Sequence, residues 1–553
     1  MTSSLIRGRP RRGRSQISAR VVHTLVGGLV GVVWLVLPAL TVGGGGAVAG
    51  GAERPVAGAV GQREDEGSSA VDLVLPVAAV GAVGVVAGYG FVRRRRRARS
   101  RTTPGGAAVE VAEPPVGELD ERARASLVAA DDWVRVSGEE LGFVAGRFGV
   151  GDAERVEPFA GVLRDAEAEL AVAFRMRWQF EGGVPEEGAA RRHALAGIVG
   201  RCAEAGRLLD GRAAAFDQVR GLEEGLGGGL GQGLAVAEGR FRELTGRAAA
   251  VGAVLRECGE RYAPSATAPV AGHVEQAKDR LVFATTRLNH ARQSADLGEN
   301  ARAAAQLRAA EGAIAQAAVF IDGVERLAGD LATAASMVPS ALTGGEVEIA
   351  GARGDRAAAE SSEYADVPPG ELRARVVHAD LVLAGVREEL ASGRPYDPLD
   401  LLRSIVRGVA PVVAGRAWVI PAAALVCARG AVAGADDVVA THRAAVGGEA
   451  RTRLAEARRL LAPPVPRPPG RSPRTELADL VTADTLGRQA RELAEQDIRL
   501  YGHPVDSRGA DVDGLAGAVL GGVLLTGRPE EDGAAAAFGG PHSRARRGGT
   551  PLA

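Results

Sequence analysis

The chain is poor in the residues that usually fill enzyme interiors and build covalent frameworks. Of its 553 residues only 4% are aromatic and 3 are cysteine. Cys202, Cys258 and Cys427 lie far apart and form no CxxC pair. Neither a disulfide framework nor a cysteine-based metal knuckle is expected, and a reducing compartment is. Lysine is nearly absent: Lys278 stands alone among 67 basic residues. So strong an arginine bias reads as a GC-rich genome, which also inflates Ala, Gly and Val. What remains is helix-rich chemistry rather than the ring-rich chemistry of sandwiches and many enzyme cores.

Sites for chemistry are lacking too. The sequence holds no HExxH, no GxSxG and no paired CxxC. His193, His273, His290, His378, His442 and His503 are scattered singly. His273 and Glu275 are two apart, so on a helix they face away from each other and form no metal pair. Glu275 and Lys278 are three apart and are expected to pair on a solvated face. The adjacent acids Asp131-Asp132 and Glu139-Glu140 point in different directions, whereas acid–base catalysis needs groups converging in a cleft. No catalytic residue, cofactor site or metal site is assigned, and the chain is read as a non-enzyme. The glycine-rich stretch 221–239 has no preceding strand and no GKS or GKT ending. It is expected to be a flexible interruption rather than a phosphate loop.

Net charge is also lacking, at −1, but the average hides two unlike parts. Residues 1–101 carry 15 Arg and 5 acidic residues, a net of +10, and the remainder carries −11. That division argues against one uniform soluble enzyme domain. Six arginines between Arg7 and Arg20 precede an uncharged stretch from Val21 to Ala52. Ala47-Val48-Ala49 then fits the small-residue cleavage pattern of an export signal, with Ala47 and Ala49 as the candidate cleavage residues. The apolar centre is also long enough to stay as an uncleaved anchor. A second uncharged run, Leu73–Val92, is bounded by Asp72 and by Arg93, Arg94, Arg95, Arg96, Arg97, Arg99 and Arg101. These arginines are expected to hold the cytoplasmic side of a membrane span and to touch lipid headgroups. They lack interleaved aromatics and precede an acidic body, so nucleic acid is not an expected partner.

Beyond the linker at 102–117, apolar positions step by threes and fours. Leu127, Ala130, Val134, Ser137, Leu141, Val144 and Phe148 form one seam, and Phe159, Leu163, Ala166, Leu170 and Ala173 another. Such spacing predicts amphipathic helices, packed either as antiparallel coiled coils or as an ordinary bundle. The clearest unit is Pro269–Ser340, two helices joined at Asp296-Leu297-Gly298-Glu299-Asn300, where Gly298 can take the left-handed conformation that ends a helix. Asp397 is expected to cap a helix opening at Pro398. Val409–Ala428 is expected to be a buried helix, because Arg416 and Pro421 argue against a further span. A last helix is expected over 475–501.

The fold class is therefore mainly α: an N-terminal signal or anchor and a transmembrane helix, then antiparallel helical hairpins. The expected divisions are a signal or anchor at 1–49, a short extracytoplasmic linker at 50–71, the span at 72–92 and a basic juxtamembrane segment at 93–117. Helical regions follow at 118–262 and 371–502. A long hairpin at 263–342 and a linker at 343–370 lie between them, and a Gly-rich disordered tail at 503–553 ends the chain.

Several segments resemble the long C-terminal region of actinobacterial TPM-domain proteins. They are Ala268-Pro269-Val270-Ala271-Gly272-His273 through Leu281, Leu307-Arg308-Ala309-Ala310-Glu311, Pro395-Tyr396-Asp397-Pro398, His442-Arg443-Ala444-Ala445-Val446, Gly447 to Ala455, and Ala494-Glu495-Gln496-Asp497 before Tyr501-Gly502. The resemblance covers most of 118–505 and extends to the signal and single-span layout. It implies an exported TPM domain of roughly 120 residues, a common domain size, between signal and span. Here that place holds only Gly50–Val71, too short to bury a core, so the phosphatase-like activity associated with the domain does not carry over. The expected function is a membrane-anchored, cytoplasm-facing scaffold. Its expected partners are membrane lipids, a cytoplasmic protein and a possible second copy of itself. The alternatives are a sensor coupling the envelope to a cytoplasmic partner and a degenerate phosphatase-like protein.

Overall fold

The chain divides into two units, Met1–Glu110 and Val111–Ala553. The computed structural model describes residues 114–148, 150–185, 188–357, 367–462, 473–501 and 537–547, all in the second unit. The expected export signal, the expected membrane span and the arginines at 93–101 lie outside the described residues, as do Ala47 and Ala49.

Every described element is a helix or a helical turn. Three long helices open the array: α1 (Val116–Phe148), α2 (Glu157–Glu181) and α3 (Gly188–Arg220). Their core is the pair of seams read from the sequence. Leu127, Ala130, Val134, Leu141 and Val144 meet Phe159, Ala166, Leu170 and Ala173, with Leu195, Ile198 and Leu209 of α3 closing the third side. After α4 (Gly229–Arg261) and the short α5 (Pro264–Thr267) comes the hairpin of α6 (His273–Asp296) and α7 (Asn300–Ala357). Gly298 turns the corner with φ +76°, a backbone that only glycine adopts without strain. Leu281, Ala284, Leu288 and Ala291 pack on Leu307, Ala310, Ile314 and Ala317, while α4 adds Leu230, Leu234 and Leu244. Each buried leucine contributes roughly 1.5–3 kcal/mol. Leu307→Ala, at a fully buried position, should cost about 2–5 kcal/mol.

The helix α7 has 58 residues, about 87 Å of rise. Its first half lines one core and its second half another, shared with α8 (Pro369–Ala391), α9 (Pro398–Val409) and α10 (Val419–Thr441). A fourth core joins α10 to α11 (Gly448–Leu461) and α12 (Pro473–Tyr501). The Asp397 side chain caps α9, accepting from the Asp400 N–H at 3.1 Å.

Four expectations need correction. Residues 343–357, read as the start of a linker, continue α7. Pro339 inside it lacks the N–H that would bond the Ala335 carbonyl. Gly344 and Gly345 lie where α7 meets its neighbours, for a Cβ at Gly344 would lie 2.5 Å from Val419 Cγ1. The stretch 221–239 is a tight turn followed by the first turns of α4. Its Gly229 lies against the Arg220 carbonyl, 2.2 Å from where a Cβ would be, so the glycines serve close approach. Val409–Ala428 is two helix ends around a turn, not one helix. Gly415 there has φ +85°, and buried Glu348 of α7 accepts from the Ala414 and Ala417 N–H groups at 2.8 and 2.7 Å. Last, part of the tail is ordered: Phe538 is fully buried and Pro541–Arg547 forms α13.

Among the described residues one helix, α10, is long and apolar enough to cross a membrane by length and composition. Its Ala423, Ala424, Cys427, Ala435 and Val439 are buried against neighbouring helices.

Candidate functional site

The polar residues that interrupt the α1 seam define the most unusual chemistry in the molecule. Asp131, Ser137 and Glu140 are buried, and burying a charge is costly unless it is paired. Each of these carboxylates is paired by arginines from distant segments. Arg451 of α11 is 1% exposed at its side chain and places Nη1 2.6 Å from Asp131 Oδ2 and 2.7 Å from Asp132 Oδ1. Its Nε donates to the Val446 carbonyl at 3.1 Å, and its Nη2 donates to the Arg443 carbonyl. Arg135 bonds Asp131 and Asp436 of α10, both at 2.9 Å. Burial pushes Asp131 upward, but Arg135 and Arg451 outweigh it and hold the carboxyl at about 2. For its neighbour Asp132 burial wins, and the carboxyl is raised.

Two turns along α1 the arrangement recurs. Glu140 Oε1 lies 3.0 Å from Arg220 of α3 and 3.0 Å from Arg308 of α7. Arg220 also pairs with buried Glu311. Burial opposes ionisation of both acids. Arg220, Arg308 and the Phe538 N–H hold Glu140 at about 2, whereas burial and the charge of Glu140 leave Glu311 raised to about 7. Glu139 accepts two hydrogen bonds from Arg443, at 2.8 and 3.0 Å.

A third cluster lies where α6 begins. His273 meets Phe320 edge-on at 5.1 Å, and His442 approaches the same ring at 6.5 Å. Arg280 lies over Phe320 and donates to Gln316 at 3.1 Å. Burial, reinforced by Arg491, His442 and Arg326, lowers His273 to about 4. Nearby, Asp497 accepts from the Gly447 N–H at 2.8 Å, and Arg491 donates to the Pro269 carbonyl at 2.8 Å.

Beside the Asp131 cluster, α1, α2 and α11 enclose a cleft of about 630 Å³, within the usual range for ligand pockets. Val134, Leu170, Phe174 and Leu454 make its floor, and Arg175, Arg458 and Arg459 stand on its rim. The cysteines are not nucleophiles in waiting: burial pushes Cys202 and Cys427 up to about 12. Among the described residues no group of three His, Cys, Asp or Glu side chains is placed to hold a metal ion. The expected Glu275–Lys278 pair forms at 2.7 Å on an exposed face.

Sequence reasoning marked Asp131-Asp132 and Glu139-Glu140 but missed their arginine partners, which lie up to 320 residues away. One signal was present. Arg308, Glu311, Arg443 and Arg451 all fall in the segments that carried the family resemblance, and the fold brings each into a brace.

Fold and site together define a mainly α protein whose described helices are tied by interior arginine–carboxylate braces. Two proteins of Mycobacterium tuberculosis match it: UPF0603 protein Rv2345 (strain ATCC 25618 / H37Rv) and UPF0603 protein MT2410 (strain CDC 1551 / Oshkosh). Each is 28% identical over 427 residues, which is 75% of this chain and 62% of the relative. The chain thus spans less than two thirds of the length of these curated relatives. It is homologous to UPF0603 proteins of an actinobacterium. No family model matches the chain, and no solved structure matches it.

Proposed function

We propose that the protein is a membrane-anchored, cytoplasm-facing helical scaffold that presents a rigid surface to a protein partner and performs no catalysis. The observation that supports this most is the placement of the braces. Arg451, Arg443, Arg220 and Arg308 tie α1 to α11, the α10–α11 turn, α3 and α7. Buried pairs of this kind contribute little net stability, but they penalise any arrangement that separates the partners. They suit an array whose job is to hold its helices in one register. In this reading the apolar run ending at the Arg93–Arg101 cluster supplies the anchor, and the short segment 50–71 takes the place of an exported TPM domain.

Topology is tested with a membrane-impermeant maleimide on Glu121→Cys in a Cys258→Ser background. The residue is exposed. The reading expects labelling only after the cells are opened, and labelling of intact cells would sink it. Hydrolysis of p-nitrophenyl phosphate by the purified chain, abolished by a point substitution, would instead establish the phosphatase-like alternative. The cleft beside Arg451 favours a sensor as the second reading, in which a ligand there alters how α2 and α11 pack. Crosslinking in membranes separates the two, because a scaffold captures its partner whether or not the cleft is filled.

A further inference from the structure

The segment Phe538–Ser543 lies on α1 and α3 in the manner of a bound peptide. Its Phe538 ring stacks on Phe216 at 4.3 Å and meets Phe159 edge-on at 6.1 Å. The Phe538 N–H donates to Glu140, and the Gly539 N–H donates to Ser137 Oγ at 3.2 Å. A single carboxylate, Asp210 of α3, accepts from the N–H groups of Gly540, His542 and Ser543 at 2.9, 3.1 and 2.9 Å, and from Ser543 Oγ at 2.7 Å.

Each position of the segment is selected by its surroundings. Phe159 and Phe216, themselves in edge contact at 5.3 Å, together present a surface that fits a flat ring. Gly539 has φ +132°, a backbone that side chains rarely adopt, and a Cβ there would lie 2.0 Å from Ser543 Oγ. A Cβ at Gly540 would lie 2.1 Å from the Gly206 carbonyl. Pro541 sits over Gly206, where a Cβ would be 2.8 Å from both Pro541 Cδ and Trp133 Cζ3. His542 is exposed and carries no such constraint. The receptor side is built from α1, α2 and α3, and in the sequence residues 502–536 separate the segment from the end of α12.

We infer that the groove formed by Phe159, Phe216, Asp210, Gly206 and Ser137 is a peptide-binding site for a Phe-Gly-Gly-Pro-x-Ser segment, filled in cis by this chain's own tail and open to exchange with the same segment supplied in trans. Backbone donors converging on one half-buried carboxylate, Asp210, supply affinity. The aromatic slot and the two glycine contacts supply specificity, the division of labour seen in other peptide-recognition modes. The tether gives the cis segment a high effective concentration, so an intact chain should resist free peptide. This inference does not depend on the scaffold reading.

The test uses the full chain with a protease recognition sequence inserted between residues 520 and 521. After cleavage the tail fragment should co-elute with the body in gel filtration. An excess of fluorescent peptide spanning residues 534–547 should then displace it, and the uncut chain should take up at least tenfold less. A Phe538→Ala peptide should compete at least tenfold more weakly, and this control leaves the folded body untouched. The inference is overturned if the fragment separates and the cut chain takes up no peptide, or if the Phe538→Ala peptide competes as well as the natural one. A fragment that neither dissociates nor exchanges would make the segment a fixed part of the core and would overturn it equally.

Discussion

Arg451 and Asp131 meet at 2.6 Å across 320 residues of sequence, and the guanidinium is almost wholly buried. The same nitrogen reaches Asp132, while the opposite edge of the group holds the carbonyls of Arg443 and Val446. One side chain therefore fixes α1, the turn after α10 and the start of α11.

Truncating this arginine should be far more costly than a surface change. Arg451→Met leaves Asp131 with Arg135 and strips Asp132 of its partner, and removing one side of a buried pair costs about 3–5 kcal/mol. Arg451→Lys keeps the charge but loses the planar fork, so it should fall between the two. Urea melts of the three proteins should show the order wild type, Lys, Met. Equal midpoints for wild type and Met would contradict a bracing role.

Glu140 and Glu311 share Arg220 but should differ in how pH affects them. The folded state lowers Glu140 from 4.5 to about 2. Its contribution is complete above pH 4.5 and is lost as pH falls toward 2. The folded state raises Glu311 from 4.5 to about 7. Between those values the folded chain holds a proton that the unfolded chain has released. Stability from this group therefore falls as pH rises from 4.5 to 7 and then levels. Denaturant melts between pH 5 and 7.5 should differ between wild type and Glu311→Gln by that falling slope, because the opposite contribution of His273, lowered to about 4, is common to both. Glu140→Gln should cost about 3–5 kcal/mol at pH 7, because Arg220 and Arg308 lose the buried carboxylate they share and Arg220 keeps only Glu311.

What the sequence disclosed and what it hid follow one division. Periodicity is local, so the seams of α1, α2 and the α6–α7 hairpin, the Gly298 turn and the Asp397 cap could all be read within a few turns of helix. The braces are not local: nothing near Asp131 points to Arg451, and nothing near Glu140 points to Arg220 or Arg308. Glycine misled in the other direction. Gly229 falls in the stretch read as an interruption because glycine is a poor helix former, yet the Arg220 carbonyl occupies the space a Cβ would need. Phe538 was hidden by its setting, a lone ring in a glycine-rich tail whose slot is built from residues more than three hundred positions earlier.

That glycine logic yields a paired test. A Cβ at Gly487 of α12 would lie 3.0 Å from the backbone of Ala431 and Val432 in α10. Gly487→Ala must push two helices apart, an overpacking that should cost about 1–3 kcal/mol. Gly211 of α3 has nothing within 4 Å, so Gly211→Ala should gain about 0.5–1 kcal/mol from helix propensity alone. Thermal melts of the two variants should move in opposite directions. A common direction would mean that α10 and α12 are not in backbone contact.

Thiol chemistry gives the last check on the packing. Cys202 and Cys427 are buried and free, and burial pushes both thiols up to about 12. Cys258 on α4 is partly exposed, and burial raises its thiol as well. Only the thiolate reacts, so alkylation of the native chain at pH 7.5 should be slow throughout and should reach Cys258 first. The other two should react only as the chain unfolds, and their modification should track the denaturation curve. Mass spectrometry of iodoacetamide-treated protein across a urea series measures all three sites together. Early modification of Cys202 would show that the α1–α2–α3 core opens separately from the rest. Early modification of Cys427 would say the same of the core shared by α7, α9 and α10.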